Sequence, residues 1–385
     1  MISKENFLFP IADYRTHKLT TIKSIKLFLA SQIANWENYK QISRELRTSE
    51  ALQQSLDLPS ISPSQLSRRI RELPTEMLEA LFFEMIGKVK SKTSIACSRV
   101  GPLRILDSTS LKLPATLANW AKINHKSTQV KIHMRVLSLP NGRVIPEKAI
   151  PSTGNVNDCE TMDILVEDHD TIYVMDRGYV KYAQFDQWIE DNVRFVMRIN
   201  EKHGVLRVEE ELPVPPDTHI IRDAIIQLGS AYTQTEKSIR LVEFMDEKER
   251  KYRIATSCFD LSATEIADIY RQRWLIELFF KWLKQHLRLV KLYSYEPQGI
   301  WNQIFIVLIA YAIAMYIELG SRTKLSTWDV LQCLRTCWDK KWSVMLSELH
   351  LKPTRNSKGR QKVPRSVKPP PRLNTSVGII KPKKR

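Results

Sequence analysis

Residues 269–287, IYRQRWLIELFFKWLKQHL, limit the possible folds more than any other stretch of the chain. Drawn as a helix, the segment has apolar residues on nearly every side, so it must be buried. Yet it carries Arg271, Arg273, Glu277, Lys281 and Lys284, and burying charges without partners is expensive. At ~100° per residue with Tyr270 at the origin, Arg273, Lys284 and Glu277 fall at about 300°, about 320° and about 340°. Lys281 and Arg288 flank this stripe. Leu275, Ile276, Leu278, Phe279, Phe280, Trp282, Leu283 and Leu287 fill most of the remaining arc. The helix therefore faces the core and presents one thin polar stripe, which needs a partner. Arg271, at about 100°, lies off the stripe and is expected to be an ordinary paired or solvent-facing residue. Ser262 and Glu265 form a capping-box pattern, which predicts one long helix over about 262–288.

Two other carboxylates close apolar runs of strand length. Asp107 follows LRIL and Asp176 follows TIYVM. The end of a strand opens at the edge of a sheet, where α/β folds bind ligands. Two such aspartates and a glutamate on a helix make an all-oxygen donor set suited to Mg²⁺ or Mn²⁺. Two ions about 3.5–4 Å apart can activate a nucleophile and stabilise a leaving oxygen in phosphoryl transfer. Cations and a phenol beside such a centre would grip phosphates.

The surrounding segments predict an α/β domain. LRILDSTSLKL, then TQVKIHMRVLSLPNGRVIPEKAIPS with a hairpin signal at Pro-Asn-Gly, then DTIYVMDRGYV and VRFVMRIN read as strands, with a helix over YVKYAQFDQWIEDN. This order suits a mixed sheet covered by helices. Residues 201–258 are polar and rich in β-formers, and read as a β-rich insertion. Residues 18–90 read as helices throughout. Ser62 followed by Pro63 is a helix start, and the pairing of NYKQISREL with SPSQLSRRIREL has a helix-turn-helix rhythm. Gln65, Ser67, Arg68, Arg69 and Arg71 would then reach bases or phosphates.

The net charge of the 385-residue chain is +17, but residues 352–385 alone hold twelve Lys or Arg and no Asp or Glu. A basic excess of this kind points to a polyanion, most often nucleic acid, and the tail reads as disordered by composition. Cys97, Cys159, Cys258, Cys333 and Cys337 form no C-x-x-C pair and are read as reduced thiols. No signal-peptide pattern opens the chain. The run Ile304–Ile317 falls short of the roughly 20 residues that span a bilayer, so it is read as a core helix. Gly-x-Ser-x-Gly and Gly-rich phosphate loops do not occur, which argues against a serine hydrolase and a P-loop enzyme.

Tyr270-x2-Arg273-x3-Glu277-x6-Lys284 resembles the Y-R-E-K signature of DDE transposases of the insertion-sequence-4 family, and Asp107 in ILDST and Asp176 in VMDRGY resemble that family's two catalytic aspartates. The resemblance covers residues 100–320. It implies an RNase H-like catalytic core over 96–200 and 259–320, interrupted by the β-rich insertion 201–258. A helical N-terminal DNA-binding domain (1–95), C-terminal helices (321–351) and the basic tail (352–385) complete the expected layout. It further implies that Asp107, Asp176 and Glu277 hold two Mg²⁺ or Mn²⁺ ions. Tyr270, Arg273 and Lys284 would contact phosphates near the scissile bond, and Trp274 would hold distorted DNA. Lys131 shares a strand face with His133 and is expected at the DNA with Arg68 and Arg71. The implied substrate is double-stranded DNA, both terminal inverted repeats and target, bound by a homodimer in the cytoplasm, at the nucleoid. Some relatives carry a stacking Trp in the insertion. This chain has none between Trp188 and Trp274, leaving Tyr232, Phe244, Tyr252 and Phe259 as the aromatics there. A nuclease without strand transfer and a decayed DNA-binding repressor are the alternative readings.

Overall fold

The protein is seen here in a computed structural model that describes residues 12–93, 100–124, 127–140 and 142–351. Cys97, His125 and the basic tail from residue 352 lie outside the described residues. Among the described residues, five helices come first: α1 (Thr21–Ile33), α2 (Tyr39–Thr48), α3 (Glu50–Leu56), α4 (Pro63–Glu72) and α5 (Thr75–Ser91). The expected start of α4 is present. The Ser62 side chain accepts from the Gln65 amide, Gln65 closes the capping box, and Pro63 sits in the first turn. The short α3 between the two expected helices was hidden by its length, too short to show an apolar period.

A mixed sheet follows. Its strands are β1 (Leu103–Lys112), β2 (Lys122–Asn124), β3 (Ser127–Ser138), β4 (Val144–Thr153), β5 (Ile172–Met175), β6 (Arg194–Arg198), β7 (Val205–Glu211), β8 (Ile220–Ser230), β9 (Thr233–Gln234), β10 (Ile239–Met245) and β11 (Lys251–Thr256). Helices α6 (Met162–Leu165) and α7 (Tyr182–Glu190) are interleaved with them, and α8 (Ala263–Arg271), α9 (Trp274–His286), α10 (Pro297–Ser321), α11 (Thr327–Cys337) and α12 (Trp342–Leu349) come after. The spatial order is β2-β3-β1-β5-β6-β11-β10-β8-β7, with β4 on β3 and β9 on β8. Strands β1, β5 and β6 run parallel. The β-rich segment joins the same sheet, because β11 pairs antiparallel with β6.

All four residues of β5 are buried, as a central parallel strand requires cover on both faces. Its side chains alternate between two cores. Ile172 and Val174 join one with Val196, Ile276 and Phe280. Tyr173 and Met175 join the other with Phe185, Trp188 and Phe195.

Helix α10 is long and apolar, and 67% of its most hydropathic stretch is buried inside the protein, which fits the core helix expected from its length. Its few polar residues connect it to the N-terminal helices. Asn302 Nδ2 donates to Ile70 O at 2.7 Å and Leu73 O at 2.8 Å, while its Oδ1 accepts from Thr75 Oγ1 at 2.8 Å. This one side chain satisfies carbonyls left over at the end of α4. The N-terminal helices and α10 consequently share one apolar cluster. Asn302→Ala should lower unfolding stability by about 1–3 kcal/mol, because Ile70 O loses its side-chain donor while Leu73 O keeps Gln298 Nε2. Denaturant titration would check this.

Candidate active site

The first two site residues are placed by strand register. Leu106 of β1 pairs in parallel with Met175 of β5, so Asp107 and Asp176 follow at equivalent positions on neighbouring strands. Asp176 lies just past its strand. Asp107, expected at a strand end, lies inside β1, because Ser108–Lys112 go on pairing with β3. The parallel neighbour stops at Met175, so Asp107 still opens at an edge. Burial raises the Asp107 carboxyl from 3.8 to about 6; the Ser108 amide and Arg273 oppose the rise, and the negative charges of Asp176 and Glu277 add to it.

The expected single helix over 262–288 is two. After the Ser262–Glu265 capping box, α8 ends and the chain tightens. Gln272 N bonds to Ile269 O, Arg273 N to Tyr270 O and Leu275 N to Gln272 O, each three residues back, as in a 3₁₀ turn. Gln272 is held there by Ser138 Oγ, 3.0 Å from its Oε1. Helix α9 then carries Glu277. An apolar period cannot reveal a one-turn tightening, since both helices remain core-facing.

The polar stripe meets the aspartates at this joint. Arg273 donates to Asp107 Oδ2 at 3.2 Å and, through its other terminal nitrogen, to Glu277 Oε1. Arg273 Nε is buried and has no hydrogen-bond partner. The Tyr270 hydroxyl lies 3.4 Å from Asp176 Oδ1, and burial with the Asp176 charge pushes it up to about 12, against the pull of Arg273 and Arg198. Lys284 Nζ points at Ser110 O, 3.4 Å away on β1, and burial lowers its pKa. Arg271 pairs with Asp268 on the helix surface.

Two cavities flank the joint. An open depression of about 530 Å³ is lined by Asp107, Ser108, Glu277, Lys281 and Lys284 among others. A second, of about 430 Å³, is lined by Phe244, Tyr252, Tyr270, Arg273 and Trp274 among others. The Trp274 indole is exposed, and Arg198 sits over the Tyr252 ring at 4.7 Å. A larger cavity, of about 830 Å³, lies away from the carboxylates between the starts of α2 and α4. Lys18, Lys40, Arg44 and Arg47 line it.

Other expected residues stand elsewhere. Arg68 and Arg71 are exposed on α4, with Arg71 Nε turned back to Ser67 O. Arg69 is buried on Asp13, Thr21, Ser24 and Ala12 O and so faces inward. Lys131 also turns inward, to Val156 O at 2.9 Å and Asp158 at 3.4 Å. Asp158 and Tyr179 were not expected at the site. Tyr179 is fully buried, its hydroxyl has no partner, and burial with the charges of Asp158, Asp107 and Asp176 drives its pKa well up. Only the alternation of Lys131 and His133 on β3 hinted at this group.

The donor set suits a hard divalent cation. As the side chains stand, no three His, Cys, Asp or Glu residues among those described surround one point at ligating distance. The cation between Asp107 and Glu277 is the Arg273 guanidinium, which stands in for the positive charge that this carboxylate group requires.

The profile of the transposase DDE domain family matches residues 98–313, and the chain belongs to that family. It is a transposase, an enzyme acting on DNA; family membership brings a requirement for a divalent metal. A Geobacillus stearothermophilus protein named as a probable transposase for insertion sequence element IS5377 is 28% identical over 277 residues, 70% of this chain and 71% of its own. A Synechocystis protein named as a transposase for insertion sequence element IS4SA is 25% identical over 362 residues, 89% of this chain and 96% of its own.

The raised Asp107 pKa gives a pH signature in metal-free protein. The folded chain binds this proton more tightly than the unfolded chain does, between 3.8 and about 6. The contribution of Asp107 to stability therefore falls as pH rises through that window, by about 3 kcal/mol, then levels off, and it is read as the difference between wild type and Asp107→Asn. Thermal unfolding in chelator across this range should show the slope, and Asp107→Asn should remove it.

Proposed function

We propose that this transposase cuts DNA at the ends of an insertion element and joins the freed 3′-hydroxyl ends to target DNA, using Asp107, Asp176 and Glu277. The observation that carries this is the meeting of the three: two aspartates in register on neighbouring parallel strands, and a glutamate tied to one of them through Arg273. With the three-residue β2 set aside, Asp176 follows the fourth strand, which supports an RNase H-like core. The three carboxylates would hold Mg²⁺ or Mn²⁺, in a pair. When bound, such ions activate a water or hydroxyl nucleophile and stabilise the leaving oxygen.

The chain's own groups bind and orient the DNA. Lys281 and Lys284 border the depression that holds Asp107 and Glu277, and would neutralise a backbone phosphate there. Arg273, once released from Asp107, would take a phosphate oxygen. Tyr270, aimed at Asp176, orients that carboxylate. In the neighbouring cavity Trp274 and Tyr252 are the aromatic faces on which a base turned out of the duplex would stack, without a Trp in the insertion. Lys18, Lys40, Arg44 and Arg47 form no ion pair among the described residues, and the N-termini of α2 and α4 open beside them. This groove would bind backbone phosphates of a terminal repeat, with Arg68 and Arg71 at its side, in a homodimer that holds two ends.

Glu277→Gln should cut Mg²⁺-dependent cleavage by on the order of 10³-fold and leave end binding within a few-fold. Full cleavage by this variant would remove Glu277 from the site. Supplying pre-cut ends tests joining separately: products cut but never joined to plasmid would mark a nuclease. Arg44→Ala should weaken binding across all sequences and reduce the salt slope by about one. Filter binding at graded salt checks this.

A further inference from the structure

Asp158 is a carboxylate close to the segments carrying Asp107 and Asp176 that the proposed reaction does not use. It opens a 3₁₀ turn, Asp158–Thr161, capped by Asn157 and Glu160. Its Oδ1 lies 3.1 Å from His133 Nδ1 and 3.4 Å from Lys131 Nζ. His133 is fully buried, and its other nitrogen is 3.0 Å from Ser152 Oγ on β4. Ser108, the residue after Asp107, is the cross-strand partner of His133, and its side chain favours the charged form of Asp158. On its far side Asp158 packs against the turn that follows Asp176. A Cβ on Gly178 would stand 3.0 Å from Asp158 Oδ2, so any larger residue here would push the carboxylate aside. Burial disfavours the Asp158 charge, but His133, Ser108 and Lys131 outweigh it and hold the carboxylate ionised.

One side chain thus links β3, the antiparallel neighbour of the strand carrying Asp107, to the turn that follows Asp176. We infer that Asp158 is a positioning residue: it clamps the β3 face at His133 and Lys131, opposite Ser108, to the Gly178 turn, fixing the spacing of the two aspartates. Lys131 and His133 hold the clamp. The buried, unpartnered Tyr179 hydroxyl lies beneath it and senses all three aspartates. Asp158 itself need touch neither metal nor DNA. The inference rests on Asp107 and Asp176 being metal ligands.

The test is Mn²⁺ binding to the full-length, DNA-free protein, with free Mn²⁺ read by electron paramagnetic resonance. Asp158→Asn should weaken Mn²⁺ affinity by about 10-fold or more, as loss of supporting partners does at metal sites. Cleavage should recover partly at high Mn²⁺, with melting in chelator close to wild type. Ser108→Ala, a milder cut of the same clamp that keeps the fold, should weaken affinity in the same direction. Affinity within two-fold of wild type in both variants overturns the clamp, provided that Asp107→Asn loses Mn²⁺ binding. If Asp107→Asn also binds Mn²⁺ normally, the metal-ligand reading of Asp107 fails instead, and the clamp with it.

Discussion

The structure turns on a concentration of negative charge. Asp107, Asp176 and Glu277 are gathered where burial is deep enough to raise the Asp107 pKa. Like charges brought together in a dry place must be neutralised or protonated. In this chain the Arg273 guanidinium answers that need, by holding Asp107 and Glu277 at once. Arg273 can reach both because α8 and α9 are joined by a tightened turn, and because α9 lies against β1. The strand register, the helix joint and the packing of α10 behind them all serve to bring these groups together. A cation held by two carboxylates in the metal-free protein also implies competition. On the proposed reading, a divalent ion would compete with Arg273 for these carboxylates, and a displaced Arg273 would be available to a phosphate.

The same economy appears around the aspartates. Strand β3 gives the face it shares with Ser108 and Ser110 to Lys131 and His133, which turn inward to Asp158 rather than outward to solvent. The exposed cations lie elsewhere, along the depression at Lys281 and Lys284 and in the groove between α2 and α4. Charge at the site therefore has two uses: inward groups hold carboxylates in place, and outward groups are available to DNA.

Much of this was legible in the sequence for physical reasons. The polar stripe on an otherwise apolar helix demanded buried partners, and Asp107 and Asp176 were the carboxylates at the ends of apolar strand runs. The capping boxes at Ser62 and Ser262 are local chemistry, so they read directly. What did not read was whatever depends on contacts between distant segments. The break at Gln272 involves Ser138, 134 residues away. The inward turn of Lys131 needs Asp158, 27 residues away, and nothing in GNVNDCE marks that aspartate. Arg69 looked like its neighbours Arg68 and Arg71, yet its place on α4 faces Asp13 and Thr21. Spacing alone cannot separate a buried arginine from an exposed one.

A crystal structure of the DNA-free protein soaked in Mn²⁺, with an anomalous difference map, tests the central claim most directly. The account predicts anomalous density between Asp107 and Asp176, with the Arg273 guanidinium withdrawn from Asp107. Density at other residues only, with Arg273 still bonded to Asp107 and Glu277 at saturating Mn²⁺, would contradict it.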